Sequence, residues 1–494
     1  MKKIILLSAG MLCSIFILVS FSSKNKATSI ASRPAANIIN CITPTLITAA
    51  AFEVKYQPNA LMVRKNVDAL TTAEINAIKV GLIKMKALPY TNPTSWIYQV
   101  AIHSTTLTDN LPSWNSCHQV GQAYFFLAWH RMYIFFFERI LRAKSGRANL
   151  TLPYWNYQIN PVLNAAYRDN SPGNPLYDAT RNPAINSGGE LSASIMTAFS
   201  NSLDLIPFYT FQSNLNGPHG SVHTAVNGNM ANVITAAKDP VFWLHHSNID
   251  RLWEEWLSKC GGRATPIDTS FLNTTYTFFD EIGTPVSMRG SQVVQIATQL
   301  NYKYDVLPST PTCPASRPVF VNRQPLLKKE FAVEIKGETK KANFIEATQV
   351  QLESFIKTNK RTNFKFDSNT ESERLVMTFN GIKIGQMPQG VVEVYLNLPA
   401  GVTPTSTSKY FVGLLDLFSS QHIAMHALHG IRDSDEIELD ATKVAQALGL
   451  TLNNIKNTEI SFVVRGCKLN GIELKTEAQI TIPHIQFSID KYRN

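Results

Sequence analysis

Seven of the eleven histidines in this 494-residue chain lie between residues 103 and 246. Two of them, His219 and His223, follow Pro218, which we predict to be the first residue of a helix. A spacing of four places both imidazoles on one face of that helix, where they can bind one metal ion. Core packing is the alternative explanation for a single pair of this kind. The clustering as a whole favours a helical fold built around several imidazoles.

A second helix is predicted to begin at Pro240, with Asp239 as its N-cap residue, and it carries His245 and His246. Asp250 lies one helical turn after His246, so its carboxylate can orient that imidazole. We therefore expect this helix to supply a metal ligand together with the carboxylate that supports it.

The other histidines of this region are His103, His118 and His130, and burial in a core explains each of them equally well alone. Together the histidines form two groups of three, and all-imidazole coordination suits copper, iron and zinc. A His-Glu-x-x-His motif is absent, which argues against a zinc peptidase. Two neighbouring three-coordinate coppers can each give one electron and bind dioxygen between them, which a single metal cannot do in one step.

Two segments that contain these histidines resemble known copper signatures. Residues 126–138 (Phe-Leu-Ala-Trp-His-Arg-Met-Tyr-Ile-Phe-Phe-Phe-Glu) and 239–253 resemble the two signatures of the tyrosinase, catechol oxidase and molluscan haemocyanin family. The resemblance covers roughly residues 60 to 305, from Val-Arg-Lys-Asn at 63–66 to a Tyr-x-Tyr motif at 302–304. It implies a four-helix core around a dinuclear copper site.

The resemblance also implies which histidines bind each copper. The ligands of the first copper would be His103, His118 and His130, and those of the second His219, His223 and His246. His245 would be a neighbour of the site. Many relatives place the second ligand nine residues before the third, where this chain has Gly121, so a local insertion is implied after His118.

Cys117 adjoins His118, and relatives often link a cysteine to this histidine by a thioether. Such a link would leave four cysteines of the mature chain for two disulfides. These are Cys41, Cys260, Cys313 and Cys467. A disulfide or a free thiol at Cys117 is the alternative, because adjacent side chains on an extended chain point to opposite faces.

Residues 1–31 are predicted to be a secretory signal peptide, because two lysines precede an apolar run and Ser-Ile-Ala at 29–31 offers a cleavage site. An uncleaved anchor is the alternative. We expect a secreted or periplasmic protein with no membrane span in the mature chain. Cleavage would remove four lysines and no acid, which lowers the net charge from +10 to +6. Because the remaining basic residues are scattered, nucleic acid is not an expected partner.

The predicted fold class is a mainly α catalytic domain, with a four-helix core around the dinuclear copper site, followed by an all-β sandwich. A capping box at 71–74 opens a helix through about residue 85, and residues 123–144 predict a long buried helix. Residues 160–218 are rich in Pro, Gly, Asn and Ser, which favours loops. The copper domain is expected to occupy residues 32–305.

A Pro-rich linker at 306–325 is predicted to join this domain to a β-sandwich at 326–494. The sandwich more weakly resembles the domain that follows the catalytic domain in plant polyphenol oxidases, which covers the copper site and keeps those enzymes latent. A separate cluster there is predicted to be a polar loop or helix face rather than a copper-loading site. It consists of His422, His426 and His429.

We therefore expect an exported oxidase that binds two copper ions and converts o-diphenols to o-quinones with dioxygen. A tyrosinase that also hydroxylates monophenols is one alternative, and a haemocyanin-like reversible dioxygen carrier is another. A zinc or structural protein is the third. The expected partners are a small phenolic substrate, dioxygen, and the chain's own C-terminal domain as inhibitor.

Substrate access is expected to involve Gly220, Thr224 and Val233. Hydroxylating relatives often carry an Asn at the position of Gly220, and plant relatives carry a bulky Phe gate at the position of Val233. A hydrophobic wall is expected from three aromatic side chains, for which core packing is the alternative. These are Trp129, Phe242 and Trp243.

Overall fold

The first helix begins where its capping residues predict. In this computed structural model, α1 (Thr72–Lys86) starts after Thr71, whose hydroxyl accepts a hydrogen bond from the Glu74 backbone N–H. The Glu74 carboxylate accepts the Thr71 backbone N–H at 2.8 Å, so the predicted capping box is confirmed. The structure describes residues 50–51, 60–103, 123–307, 318–329, 332–337, 339–343, 348–349, 351–367, 371–421 and 436–493.

The long helices of the first half pack on one another around α3. The helices after α1 are α2 (Trp96–His103), α3 (Ala123–Ser145), α4 (Ala165–Arg168), α5 (Pro183–Asn186), α6 (Ala193–Leu203), α7 (Phe208–Val226), α8 (Pro240–Ser258), α9 (Thr269–Asn273) and α10 (Ile296–Gln299). Helix α3 contacts α1, α7 and α8. The predicted start of α8 is confirmed, because the Asp239 carboxylate caps the Val241 N–H at 2.8 Å.

The prediction of loops over residues 160–218 was wrong for α6 and for the first half of α7. Ser192 caps α6, so a residue type that is frequent in loops here begins a helix. Pro218 lies inside α7 rather than at its start. Since proline lacks an N–H, the carbonyl of Asn214 loses its helical donor, and the Ser202 hydroxyl donates to that carbonyl at 3.0 Å instead.

The first half also contains five short strands among its described residues. They are β1 (Ala50–Ala51), β2 (Met62–Arg64), β3 (Thr275–Phe279), β4 (Pro285–Arg289) and β5 (Tyr302–Tyr304). Strands β2 and β5 pair in parallel, with Arg64 opposite Tyr304. This pairing joins the two ends of the segment whose sequence resembles the copper family.

The second half consists mainly of antiparallel strands. They are β6 (Val319–Lys329), β7 (Val333–Lys336), β8 (Thr339–Asn343), β9 (Thr348–Gln349), β10 (Glu371–Asn380), β11 (Lys383–Gln386), β12 (Gly390–Leu396), β13 (Phe411–Leu414), β14 (Glu436–Asp440), β15 (Glu459–Gly466), β16 (Lys468–Leu469), β17 (Ile472–Glu473), β18 (Gln479–Ile482) and β19 (His484–Arg493). Helices α11 (Leu352–Asn359) and α12 (Thr442–Ala447) lie between them. The larger sheets have the orders β14-β10-β19-β6-β9, β13-β12-β15-β8 and β11-β18-β7. The predicted fold class is confirmed.

The two halves share a hydrophobic core. The second half has a core of its own, which includes Phe379 and Phe462. It also contributes side chains to the core of the helical half, including Tyr395, Phe411 and Phe418. The strands therefore pack directly on the helices that carry the histidines.

Cys467 is a buried free thiol, so its predicted place in a disulfide was wrong. Its sulfur lies between the Asn182 amide and the Ala225 carbonyl oxygen, 3.7 Å from each, at the contact between the two halves. Burial raises the pKa of this thiol to about 12, which keeps it protonated.

Several predicted features lie outside the described residues. They are the signal peptide at 1–31, the pair Cys117 and His118, linker residues 308–317, and the cluster of His422, His426 and His429. Within the part of the chain that the structure describes, no helix has the length and apolar character needed to cross a membrane.

Candidate metal centre

Four helices bring histidine side chains to one buried region. The side chains come from the end of α2, the middle of α3, two successive turns of α7 and the first half of α8. They are His103, His130, His219, His223, His245 and His246. Their ligand nitrogens form two groups, within each of which these atoms lie within 4.8 Å of one another. The first group is His103, His130 and His246, and the second is His219, His223, His245 and His246.

His246 belongs to both groups. Its ring stacks on that of His130, with centroids 4.1 Å apart and planes 5° apart, and its centroid lies 5.1 Å from that of His219. His245 also enters the second group, although the sequence placed it beside the site. Its ring stacks on His219 at 5.1 Å, and its Nδ1 lies 3.5 Å from the Tyr157 hydroxyl.

The imidazoles are in the form that binds metal. Burial lowers the pKa of His103 to about 4 and that of His245 to about 3, so both rings are neutral at pH 7. Among the described residues, neither ring nitrogen of His219 or His246, nor Nε2 of His223, has a hydrogen-bond partner. Because buried polar atoms are rarely left in this state, the nitrogens fit a bound metal, and copper suits such a donor set.

Backbone carbonyls orient three of the rings. Nδ1 of His103 donates to the Val233 carbonyl at 3.0 Å. Nδ1 of His130 donates to the Phe126 carbonyl at 2.9 Å, and Nδ1 of His223 to that of Met230 at 2.8 Å. A bond at Nδ1 fixes the tautomer and leaves the lone pair on Nε2. Val233, which was expected to affect substrate access, thus contacts a predicted ligand through its backbone.

Asp250 does not orient His246 as its spacing suggested. Four other side chains donate to its carboxylate: Arg64 (3.2 Å), Arg131 (2.5 Å), Tyr302 (2.5 Å) and Tyr304 (2.6 Å). Burial opposes its charge, but Arg131 and Arg64 outweigh burial and lower the pKa of the carboxyl. Asp250 therefore anchors α8 to α3, β2 and β5.

We expect Asp250→Asn to lower the free energy of unfolding of the metal-free protein by about 3–5 kcal/mol, because it leaves two buried arginines without their shared charge. Tyr304→Phe is the control, since it removes hydrogen bonds but no charge and costs about 1 kcal/mol. Denaturant unfolding measures both changes. Equal losses in the two variants would contradict the charge argument.

The predicted aromatic wall is present in part. Phe242 lies 4.2 Å from His246 and 4.8 Å from His103, measured between ring centroids, and Trp129 lies 4.9 Å from His130. Trp243 instead stacks on Phe137 at 3.4 Å, so its role is core packing.

A segment of the second half covers the histidines. The ring of Phe418 stacks on His223, with centroids 3.8 Å apart and planes 11° apart. A Cβ atom at Gly220 would lie 2.0 Å from Asp416 Oδ1, so only glycine leaves room for this segment. The Thr224 hydroxyl donates to the Gly390 carbonyl at 2.7 Å. Gly220 and Thr224 thus face the second half of the chain.

Phe418 and Asp416 were not predicted from the sequence to lie at the site. They follow β13, far along the chain from any predicted ligand, and nothing in the local pattern indicates that they contact α7. Burial raises the pKa of Asp416 to about 7.

Three family models match parts of this chain. The family model for the common central domain of tyrosinase matches residues 93–201 and 166–259. The model for the polyphenol oxidase middle domain matches 266–313, and a domain of unknown function matches 332–486.

Three curated relatives are similar over more than half of the chain. A tyrosinase of Hahella sp. (strain CCB-MM4) is 33% identical over 52% of this chain and 66% of its own length. The chloroplastic (+)-larreatricin hydroxylase of Larrea tridentata is 27% identical over 72% of this chain and 68% of its own. The chloroplastic polyphenol oxidase A of Solanum lycopersicum is 24% identical over 84% of this chain and 72% of its own length.

Two solved structures share the fold of both halves. A latent aurone synthase (polyphenol oxidase) superimposes with a TM-score of 0.56 at 18% identity, over 89% of this chain and 92% of its own. A latent apple tyrosinase superimposes with a TM-score of 0.54 at 17% identity, over 88% of this chain and 100% of its own.

Proposed function

The chain belongs to the tyrosinase and polyphenol oxidase family, and on that premise we propose that it is a dinuclear copper oxidase that converts o-diphenols to o-quinones. The observation that carries the proposal is the convergence of two overlapping groups of buried, neutral imidazoles. We assign His103, His118 and His130 to the first copper. The ligands of the second are then His219, His223 and His246.

Copper at these imidazoles would supply electron exchange between the diphenol and dioxygen. Each diphenol loses two electrons and two protons, and two diphenols reduce one dioxygen to two waters. The chain's own contribution is to hold neutral imidazoles in a fixed tautomer through the carbonyls of Phe126, Met230 and Val233. Phe242 adds an apolar wall beside His103 and His246.

The full-length protein is proposed to be latent. Phe418 covers one face of His223, where it would obstruct a substrate that approaches the second metal. The latent aurone synthase and the latent apple tyrosinase are similar in fold to both halves of this chain. The position of Phe418 on His223 also supports a second candidate function. Dioxygen is smaller than a phenol, so it would still reach the metals where a phenol is obstructed. The uncleaved protein would then be a reversible dioxygen carrier.

Export is also part of the proposal, with residues 1–31 as the signal peptide. Cys260 is disulfide-bonded. A disulfide supports an oxidising compartment, either outside the cell or in the periplasm.

The cleaved, copper-loaded protein is expected to oxidise catechol about 10²-fold faster than phenol. A monophenol needs a base to remove its proton, and Asp416, the carboxyl beside Gly220, belongs to the half that cleavage releases. Oxygen consumption with matched catechol and phenol, together with the copper content per chain, measures this ratio. Similar rates without a lag would identify a monophenol hydroxylase instead. Reversible dioxygen binding without turnover of catechol would favour the carrier.

A further inference from the structure

One loop contacts a histidine of each proposed copper site. Residues 227–235, here called the 227–235 loop, follow α7 and form the first part of its connection to α8. The Met230 carbonyl accepts the Nδ1–H of His223, and three residues later the Val233 carbonyl accepts the Nδ1–H of His103. These two imidazoles lie on different helices and are assigned to different metals. The position of a single backbone segment therefore determines the orientation of both.

The path of this loop is fixed at its start. Asn227 and Gly228 both have positive φ, 64° and 59°. A Cβ atom at Gly228 would lie 2.2 Å from the Thr180 carbonyl oxygen, so glycine is needed there for space as well as for its backbone conformation. The 3₁₀ turn at Gly228–Ala231 then presents the Met230 carbonyl to His223.

Asn229 joins the loop to the chain segment behind it. Its side-chain amide donates to Asp178 Oδ2 at 2.7 Å, and its backbone N–H donates to the Thr180 hydroxyl at 3.0 Å. Its own carbonyl accepts the Thr235 hydroxyl at 3.1 Å, which closes the other end of the loop. Burial opposes a charge on Asp178, but hydrogen bonds from Asn229 and Thr180 outweigh burial and lower the pKa of this carboxyl. The bond from Asn229 is therefore charge-assisted.

We propose that Asn229 is a positioning residue for both metal sites, because its bond to Asp178 holds the two carbonyls that orient His103 and His223. Among the hydrogen bonds of the described residues, Asn229 bonds to Asp178, Thr180 and Thr235 and to neither imidazole. The inference rests on the proposed copper function for its biological role, but the orientation of the rings exists in the metal-free protein and can be measured there.

The test uses the full chain with ¹⁵N-labelled histidine. In metal-free Asn229→Ala, the imidazole Nδ1–H of His103 and that of His223 should exchange with water about tenfold faster, since one buried charge-assisted bond no longer holds the loop. His130 provides an internal reference, because its acceptor is the Phe126 carbonyl of its own helix. The exchange rate of that proton should not change.

Titration with Cu²⁺ against a chelator should show both sites weakened together, by about tenfold, in the range expected for groups that orient metal ligands. Asn164→Ala is the matched control. It also removes an amide-to-carboxylate bond, to Asp68 Oδ1 at 2.8 Å, at a place outside the loop. In this control the exchange rates and the Cu²⁺ affinity should match those of the unmodified chain.

Unchanged exchange at His103 and His223 in Asn229→Ala would overturn the proposal, and so would equal acceleration at His130, which would indicate general loosening. If Asn229→Ala does not fold, Asp178→Asn removes the charge of the acceptor with little change of shape, and the same criteria apply to it. Faster imidazole exchange in a protein that never binds Cu²⁺ would support the positioning role and refute the copper function.

Discussion

Replacing His246 by alanine is expected to remove most of the copper, whereas His245→Ala should leave about two coppers per chain. His246 belongs to both groups of nitrogens, and neither of its ring nitrogens has a hydrogen-bond partner among the described residues. Its ring stacks on His130 of the first group and lies near His219 of the second. Loss of this imidazole should therefore weaken both metals, with about one copper or less retained.

His245 is the matched control, because it is the neighbouring residue on the same helix and is equally buried. Its Nδ1 lies 3.5 Å from the Tyr157 hydroxyl, so part of its hydrogen-bonding capacity is directed toward the protein. Metal analysis after dialysis, with oxygen consumption on catechol, measures both variants. The opposite pattern, with copper lost from His245→Ala and kept by His246→Ala, would assign the ligand to His245.

Cleavage of the linker between the two halves is expected to raise turnover of catechol by about tenfold or more. In the intact chain Phe418 stacks on His223. If the proposed latency holds, only the fraction of molecules in which this segment has moved away would accept a phenol. Cleavage at the Pro-rich connector, followed by separation of the halves, removes the cover entirely. Phe418→Ala should activate the intact chain in part, because the second half remains packed on α7 through Gly390 and Thr224.

Phe462→Ala is the control for Phe418→Ala. Phe462 is buried in the separate core of the second half, so its loss destabilises those strands without uncovering a histidine. Steady-state kinetics on catechol, at equal copper content, compares the intact chain, the cleaved protein, Phe418→Ala and Phe462→Ala. Equal turnover before and after cleavage, with the helical half still folded and loaded with copper, would refute latency.

Local signals in the sequence predicted the start of a helix well where the capping side chain and the backbone group that it caps are close in the chain. The capping box at Thr71 and the Asp239 cap of α8 involve atoms two or three residues apart, and both are present. Pro218 misled the prediction because its effect depends on Ser202, which lies on another helix and donates to the carbonyl left without a donor.

Five of the predicted ligand histidines lie together in the part of the chain that the structure describes. The sequence could indicate them because their spacing and flanking residues form a recognisable pattern. The roles of other groups could not, since they depend on distant parts of the chain. Asp250 has the spacing to reach His246, yet Arg131 and two tyrosines more than fifty residues beyond it donate to its carboxylate. Phe418 is an ordinary aromatic residue in the sequence, and only the packing of the two halves places it on His223.

The shared core has a consequence for the lifetime of a cleaved enzyme. Tyr395, Phe411 and Phe418 contribute to the core of the helical half, so release of the strands bares an apolar face on those helices. Exposed faces of this kind promote self-association and adhesion to other apolar material. The cleaved form is therefore expected to aggregate more readily than the uncleaved chain and to last less long in solution.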